Sequence, residues 1–324
     1  MFRSNYKKLL CLIFGINSLR FVNEVKYMKV FVVSERDLFN IELQEKIKKY
    51  GETVFLNKDT YIENIISNDD EKVVVYDPDF GGWSFPKEIL ENSNNLKAVF
   101  LGTTDKSYID LDYCESKSIK VFNIPRYAAD SVAEYLVMYM FCLAKKIPLQ
   151  IKNNNSQDFT PEYEQIQLKD KKVGIVGFGN IGSRIANICN GIGMNVCYWN
   201  RNKKDNEYEY LSLDELFSTC DVIYLCLSIS DETKNIIKDE LLNKLKKNCI
   251  FISCTGKSLF NSNIIEEKVR NNELYGYALE EPNTSINKYE GNVMVTSEYA
   301  WFTKESNESR MNLWTEIIVE NLSK

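Results

Sequence analysis

The chain has 324 residues, 44% of them hydrophobic and 27% charged, which is enough apolar material for two cores of ordinary domain size and excludes a disordered chain. A formal charge of -6 leaves no basic field, and the short lysine runs alternate with Asn, Asp and Glu as solvated faces do, so no nucleic acid is expected as partner. With zero histidines, the chain has no imidazole general base, no Ser-His relay and no His-based metal site.

Residues 1–27, "MFRSNYKKLLCLIFGINSLRFVNEVKY", place basic residues before a short apolar run from Leu9 to Ile16. The run is at the short limit for a signal sequence and lacks a small-residue cleavage site. The segment therefore reads as a leader or disordered extension, with targeting as the alternative and a cytoplasmic location expected. No stretch approaches the roughly 20 apolar residues of a membrane span. Nine cysteines, an odd number, show no CxxC pair or zinc spacing, and several sit in apolar runs such as "VIYLCLS" and "CIFISC". They read as reduced core residues in a reducing compartment, and no metal site is expected.

From Met28 the strand-like "KVFVVS", "TVFL", "KVVVYDP", "LKAVFLGTT" and "IKVFNIP" alternate with helical segments such as "NIELQEKIKKYG". That alternation predicts a parallel sheet with crossover helices. Next, "YAADSVAEYLVMYMFCLAKKI" predicts a long helix from near Asp130 to Pro148, apolar on two sides and suited to burial between domains. The Asn-rich "QIKNNNSQDFTPEYEQIQLKDK" reads as a loop. A second strand-helix series follows, and a helical stretch from Lys304 to Leu322 closes the chain.

The second series opens with "KVGIVG" running into Gly177, Gly179 and Gly182 at GxGxxG spacing, then into "NIGSRIANICNGI". A strand before and an amphipathic helix after make this a dinucleotide-binding signal. Gly177 allows the tight turn, Gly179 lets backbone approach a pyrophosphate, and Gly182 lets helix and strand pack closely. Phe178, Asn180 and Ile181 complete the candidate loop, and the helix start offers N–H groups to phosphate. The next strand, "MNVCYW", ends at Asn200 and Arg201, where an NAD site usually carries an acidic residue. Asn200 removes a repelling carboxylate and Arg201, near Lys203 and Lys204, can hold a 2′-phosphate. NADP(H) is therefore favoured, with NAD(H) possible and ordinary surface cations as the bland alternative.

Read in order, "GTTDKSYIDLDYCESKSIKVFNIPRYAADSVAEY", "VGIVGFGNIGSRIA", "CDVIYLCLSISDETKNII", "GYALEEP" and "VTSEYAWFTKES" resemble the D-isomer-specific 2-hydroxyacid dehydrogenases, from about Met28 to the C-terminus. The resemblance implies an α/β protein of two doubly wound, parallel-sheet, Rossmann-like domains with an interdomain cleft. Residues 28–126 plus 303–324 would form the substrate (catalytic) domain and residues 127–302 the NAD(P)-binding domain. It also implies a small carboxylate substrate held by backbone N–H groups of Gly102, Thr103 and Thr104. In that family an arginine polarises the carbonyl, a histidine exchanges the proton and a glutamate holds the histidine.

Here Glu281 matches the glutamate, with Glu280 as the alternative because the preceding segment is short. Gly256 falls at the arginine position with Lys257 beside it, and Glu298 stands for the histidine. Arg126, where the family has a small residue, is a second candidate cation. Ser228, where the family often has proline, is a candidate to hydrogen-bond the cofactor. Trp301 and Phe302 are candidate pocket walls, with core filling as the commoner use of such rings. Tyr135, Met138, Tyr139 and Phe141 on the long helix form a candidate homodimer face.

Three readings remain open. The chain is an NAD(P)-dependent oxidoreductase of 2-hydroxy or 2-oxo acids with Glu298 as acid/base, since one of two neighbouring carboxyls can hold a proton at neutral pH. Or it is an inactive nucleotide-binding sensor or scaffold. Or the same scaffold runs a different reaction to which the family roles do not map.

Overall fold

The β-branched runs of the first half become strands of one parallel sheet because both faces of each are covered. In the computed structural model, which describes residues 28–230, 232–234 and 236–323, these are β1 (Met28–Val33), β2 (Gly51–Phe55), β3 (Lys72–Tyr76), β4 (Leu96–Leu101) and β5 (Lys120–Phe122). Their order is β2-β1-β3-β4-β5, all parallel. The order reverses between β1 and β3, so the crevice of this sheet opens at their carboxyl ends. The expectation for residues 1–27 lies outside the described residues.

The second sheet joins β6 (Lys172–Val176), β7 (Asn195–Trp199), β8 (Glu209–Tyr210), β9 (Val222–Leu225), β10 (Ile250–Ser253), β11 (Gly276–Glu280) and β12 (Val293–Thr296). Seven parallel strands in the order β12-β11-β10-β9-β6-β7-β8 are the doubly wound arrangement, with its switch point between β6 and β9. Alternate residues feed two cores: Val222 and Tyr224 point into one, Ile223 and Leu225 into the other. The expectation of two parallel-sheet α/β domains holds. One compact unit comprises the residues up to Asn123 and those from Trp314 onward; the other is Ile124–Leu313.

The long helix spans Ala129–Ala144 and packs on the second sheet through Ala133, Leu136, Met140 and Leu143. It stops sooner than its apolar pattern suggests. Lys146 takes a left-handed backbone (φ 50°), and Pro148 sits in the first turn of a new helix, Ile147–Lys152. Proline is tolerated there because that N–H has no helical acceptor. Of the four residues expected to form a homodimer face, Tyr139 is buried and Tyr135 partly buried, both hydroxyls bonding Thr296, whereas Met138 and Phe141 are 38% and 40% exposed.

In the first unit the turn after β4 is braced from behind by the C-terminal helix. Trp314 is buried, donates from its indole nitrogen to the Phe100 carbonyl at 3.3 Å, and lies so close to Gly102 that a Cβ there would stand 2.9 Å from the ring. Gly102 itself donates to the Tyr76 carbonyl at 2.8 Å, tying β4 to β3. Trp314→Ala is expected to lower stability by roughly 3–5 kcal/mol, as loss of a large core ring does, measurable by urea melts.

Candidate functional site

The glycine turn is fixed by contacts that a side chain would destroy. Gly177 has φ 98°, and a Cβ there would stand 2.7 Å from the Cys226 carbonyl at the end of β9. At Gly182 a Cβ would stand 2.2 Å from the Gly177 carbonyl, which presses the helix Asn180–Gly191 onto its own turn. Gly179, the N-cap, is exposed, and a Cβ there would meet nothing within 4 Å. Open space over a bare backbone at a helix N-terminus fits a dinucleotide pyrophosphate. Asn180 and Ile181 form the first helical turn.

Phe178 does not face that space. Its ring is 8% exposed and packs 4.3 Å from Tyr198, propping the turn from below. Its backbone N–H donates to Asn200 Oδ1 at 3.1 Å, so Asn200 is an internal strut between β7 and the turn. Asn200 Nδ2 in turn donates to the Asn202 carbonyl at 3.1 Å. Arg201 is exposed and pairs with Glu232 at 2.6 Å, a partner the sequence did not suggest. Gly177, Gly179, Asn200, Arg201, Cys226 and Ser228 line one cavity of about 370 Å³. The Ser228 side chain is exposed at its edge.

A second cavity of about 460 Å³ in the same unit gathers Cys254, Gly256, Lys257, Glu280, Glu281 and Glu298. The two adjacent glutamates part company here. Glu280 ends β11 and accepts the Ala300 N–H at 2.8 Å, so it pins the turn that carries Glu298. Burial raises its pKa, the amides of Ala300 and Tyr299 pull the other way, and the charge of Glu298 adds to the rise. Glu298 is exposed.

Glu281 enters an ion cluster. Its Oε2 accepts Lys288 Nζ at 2.6 Å, Tyr289 OH at 2.8 Å and Thr284 Oγ1 at 3.2 Å. Lys257 lies 3.5 Å from its Oε1, 3.1 Å from Glu266 and 5.0 Å over the Tyr289 ring. Burial alone would lower the Lys257 pKa, yet Tyr289 and Glu266 hold it above the ordinary lysine value. Gly256 is left-handed (φ 56°) and its carbonyl accepts Ser253 Oγ at 2.6 Å.

The remaining candidates stand as follows. Thr103 is buried, and its hydroxyl shares a 2.7 Å hydrogen bond with Tyr108 OH, while Asn123 Nδ2 donates to the Thr104 carbonyl at 2.7 Å. Arg126 is exposed on left-handed backbone (φ 66°), an uncommon conformation for a long side chain. Trp301 and Phe302 pack edge to face at 5.2 Å, with Arg310 over Trp301 and Phe302 57% exposed. Among the described residues no group of three His, Cys, Asp or Glu side chains is arranged to hold a metal, and no helix is long and apolar enough to cross a membrane.

Against the burial that would raise it, Lys288, Tyr289 and Lys257 hold the Glu281 pKa down to about 2 from its ordinary 4.5. A carboxyl depressed on folding contributes stability that is present above its unfolded pKa and lost as pH falls through the folded one. Glu281→Gln is therefore expected to cost roughly 1–3 kcal/mol at neutral pH, with the gap to wild type closing as pH falls below the ordinary glutamate range, read by urea melts.

Comparison with known proteins agrees with this geometry. Residues 137–289 match the family model described as D-isomer specific 2-hydroxyacid dehydrogenase, NAD binding domain. A 2-hydroxyacid dehydrogenase homolog of Zymomonas mobilis is 29% identical over 262 residues, 78% of each chain. A hydroxypyruvate reductase of Blautia hydrogenotrophica is 26% identical over 88% of this chain and 94% of its own. The solved structure of an acyclic imino acid reductase in complex with NADPH and D-Arg superposes with a TM-score of 0.77 at 25% identity, covering 91% of this chain and 97% of that one. With glycine turn, strand order and relatives in agreement, residues 137–289 carry the NAD-binding domain of the D-isomer-specific 2-hydroxyacid dehydrogenases, and the chain is similar to members of that family over most of its length.

Proposed function

We propose that this chain is an NADP(H)-dependent oxidoreductase that interconverts a small 2-oxo acid and its 2-hydroxy acid, with a carboxyl group in place of imidazole as acid/base. One observation carries the reading: Glu280 and Glu298 line a single cavity, and burial together with the Glu298 charge disfavours ionisation of Glu280. When bound, the nicotinamide supplies or takes the hydride. The chain's own task is the proton and the charge. Reduction leaves an alkoxide, and the carboxyl pair is assigned to its protonation, Glu280 holding the proton and Glu298 passing it to the alkoxide. Glu280 fixes the Glu298 turn through the Ala300 amide, and burial together with the Glu298 charge favours its protonated form. Lys257, held ionised on the same cavity wall, is assigned to the developing oxyanion.

In the first unit, the amides of Gly102, Thr103 and Thr104 are assigned to the substrate carboxylate; in the second, Arg126 is assigned as a substrate-binding cation. NADP(H) is assigned over NAD(H) because Asn200 presents no carboxylate and Arg201 offers a guanidinium. Its partner Glu232 is 70% exposed, and an exposed ion pair of this kind is weak enough for a 2′-phosphate to displace. The NADPH named with the imino acid reductase accords with this choice. The described cysteines are all free, which accords with a reducing, cytoplasmic setting. Exposed Met138 and Phe141 are assigned to a homodimer face.

Purified protein with NADPH and a panel of 2-oxo acids is expected to consume cofactor, more slowly as pH rises past the raised pKa of Glu280. Glu298→Gln is expected to lower turnover about 10²–10⁴-fold, the usual worth of a general acid. Tight NADPH binding with no turnover across the panel would support the nucleotide-sensor reading instead. Arg201→Ser is expected to weaken NADPH by about tenfold or more in calorimetry, near 1.4 kcal/mol, while leaving NADH unchanged; equal weakening of both would refute the 2′-phosphate assignment.

A further inference from the structure

The first unit carries an exposed tryptophan that neither the glycine turn nor the acidic cavity explains. β3 ends at Tyr76 and passes through the short helix Pro78–Gly81 to Gly82 and Trp83. Both glycines are required there. A Cβ at Gly81 would stand 2.5 Å from the Tyr76 ring, and Gly82 has φ 106°. The chain is thereby turned so that Trp83 emerges at the carboxyl end of the sheet with its side chain 58% exposed.

Exposed tryptophans are ordinarily loose or covered by a neighbour, but this one is held from two sides. Its indole nitrogen donates to Asp79 Oδ1 at 3.2 Å. Its ring meets Tyr108 edge to face at 5.5 Å. Tyr108 OH shares the 2.7 Å hydrogen bond with Thr103 Oγ1, in the middle of the turn Gly102–Thr104. Buried Tyr76 and Phe85, 4.8 Å apart, back the pair from below. A path of ring and hydroxyl contacts thus runs from the turn whose amides are assigned to the substrate carboxylate to an indole held from two sides and 58% exposed.

We propose that Trp83 and Tyr108 form the side-chain subsite of the substrate, and that the preferred substrate is a 2-oxo acid bearing an aromatic ring on its third carbon. The inference rests on the assignment of Gly102–Thr104 to the carboxylate. An anchored ring offers an aromatic side chain stacked or edge-to-face contact without the entropy of first ordering the platform. A methyl or hydroxymethyl group cannot reach such contact, so small acids lose it. Tyr108 is a positioning residue: it joins the platform to Thr103 and sets the spacing between ring and carboxylate.

The test is steady-state kinetics of the full chain with NADPH and phenylpyruvate, pyruvate, glyoxylate and a dicarboxylic 2-oxo acid, alongside calorimetric titration with 3-phenyllactate and lactate. Phenylpyruvate is expected to exceed pyruvate in kcat/KM by about tenfold or more, the discrimination typical of one aromatic contact. Trp83→Ala is expected to erase that ratio mainly through KM and Trp83→Phe to restore part of it. Tyr108→Phe is expected to lower the ratio with an unchanged melting temperature. Wild-type preference for pyruvate, glyoxylate or the dicarboxylic acid, or a ratio untouched in Trp83→Ala, would overturn the proposal. Absence of turnover with every acid would overturn the activity assignment and not this one, which calorimetry then decides. Binding of 3-phenyllactate that is lost in Trp83→Ala supports it, and binding that is absent or insensitive to the substitution refutes it.

Discussion

The second unit is organised around one steric constraint, the contact of three backbone segments at Gly177. The end of β9 presses on this glycine at Cys226, and the helix that follows presses on its carbonyl through Gly182. Any side chain at either position would push the helix N-terminus away from the sheet. Because the contact is made of backbone, it cannot relax by a change of rotamer. The exposed face of Gly179 and the strut from Asn200 to the Phe178 amide both inherit their position from it. The switch point between β6 and β9 supplies the crevice, and the glycine contact holds the helix N-terminus against the sheet there.

Much of this was legible in the letters. Glycine spacing between a β-branched strand and an amphipathic helix reports backbone geometry directly, and strands buried on both faces announce a parallel sheet through their composition alone. The side-chain partnerships were not. Asn200 read as a missing ribose ligand and proves to be a strut. Arg201 read as an open cation and has Glu232 beside it, across a sequence separation that no local pattern spans. Phe178, inside the loop motif, is core.

The choice between Glu280 and Glu281 shows where a sharper reading was available. Along β11 the two-residue period sends Tyr277 and Leu279 to one core and Ala278 to the other. Continued by one step, the same period separates the two glutamates: Glu280 turns toward the Ala300 amide, and Glu281 joins Lys257, Lys288 and Tyr289. Parity was in the sequence; the identity of the neighbours was not, because Lys257 and Ala300 come from other segments and Lys288 and Tyr289 from the connection that follows β11. Trp83 has a similar standing, since the glycine pair before it signals a forced turn but says nothing of Asp79 or Tyr108 holding the ring.

The left-handed backbone at Gly256 bears on how this chain could change under selection. An arginine placed there would adopt a conformation that costs a non-glycine residue about 1–2 kcal/mol, and its Cβ would come within 3.3 Å of the Glu280 carbonyl. Introduction of a cationic side chain here by a single codon is therefore opposed by the loop itself. The residue that stands at this point of the cavity wall is set by the main chain and not only by side chains, so placing a guanidinium there demands a remodelled loop first.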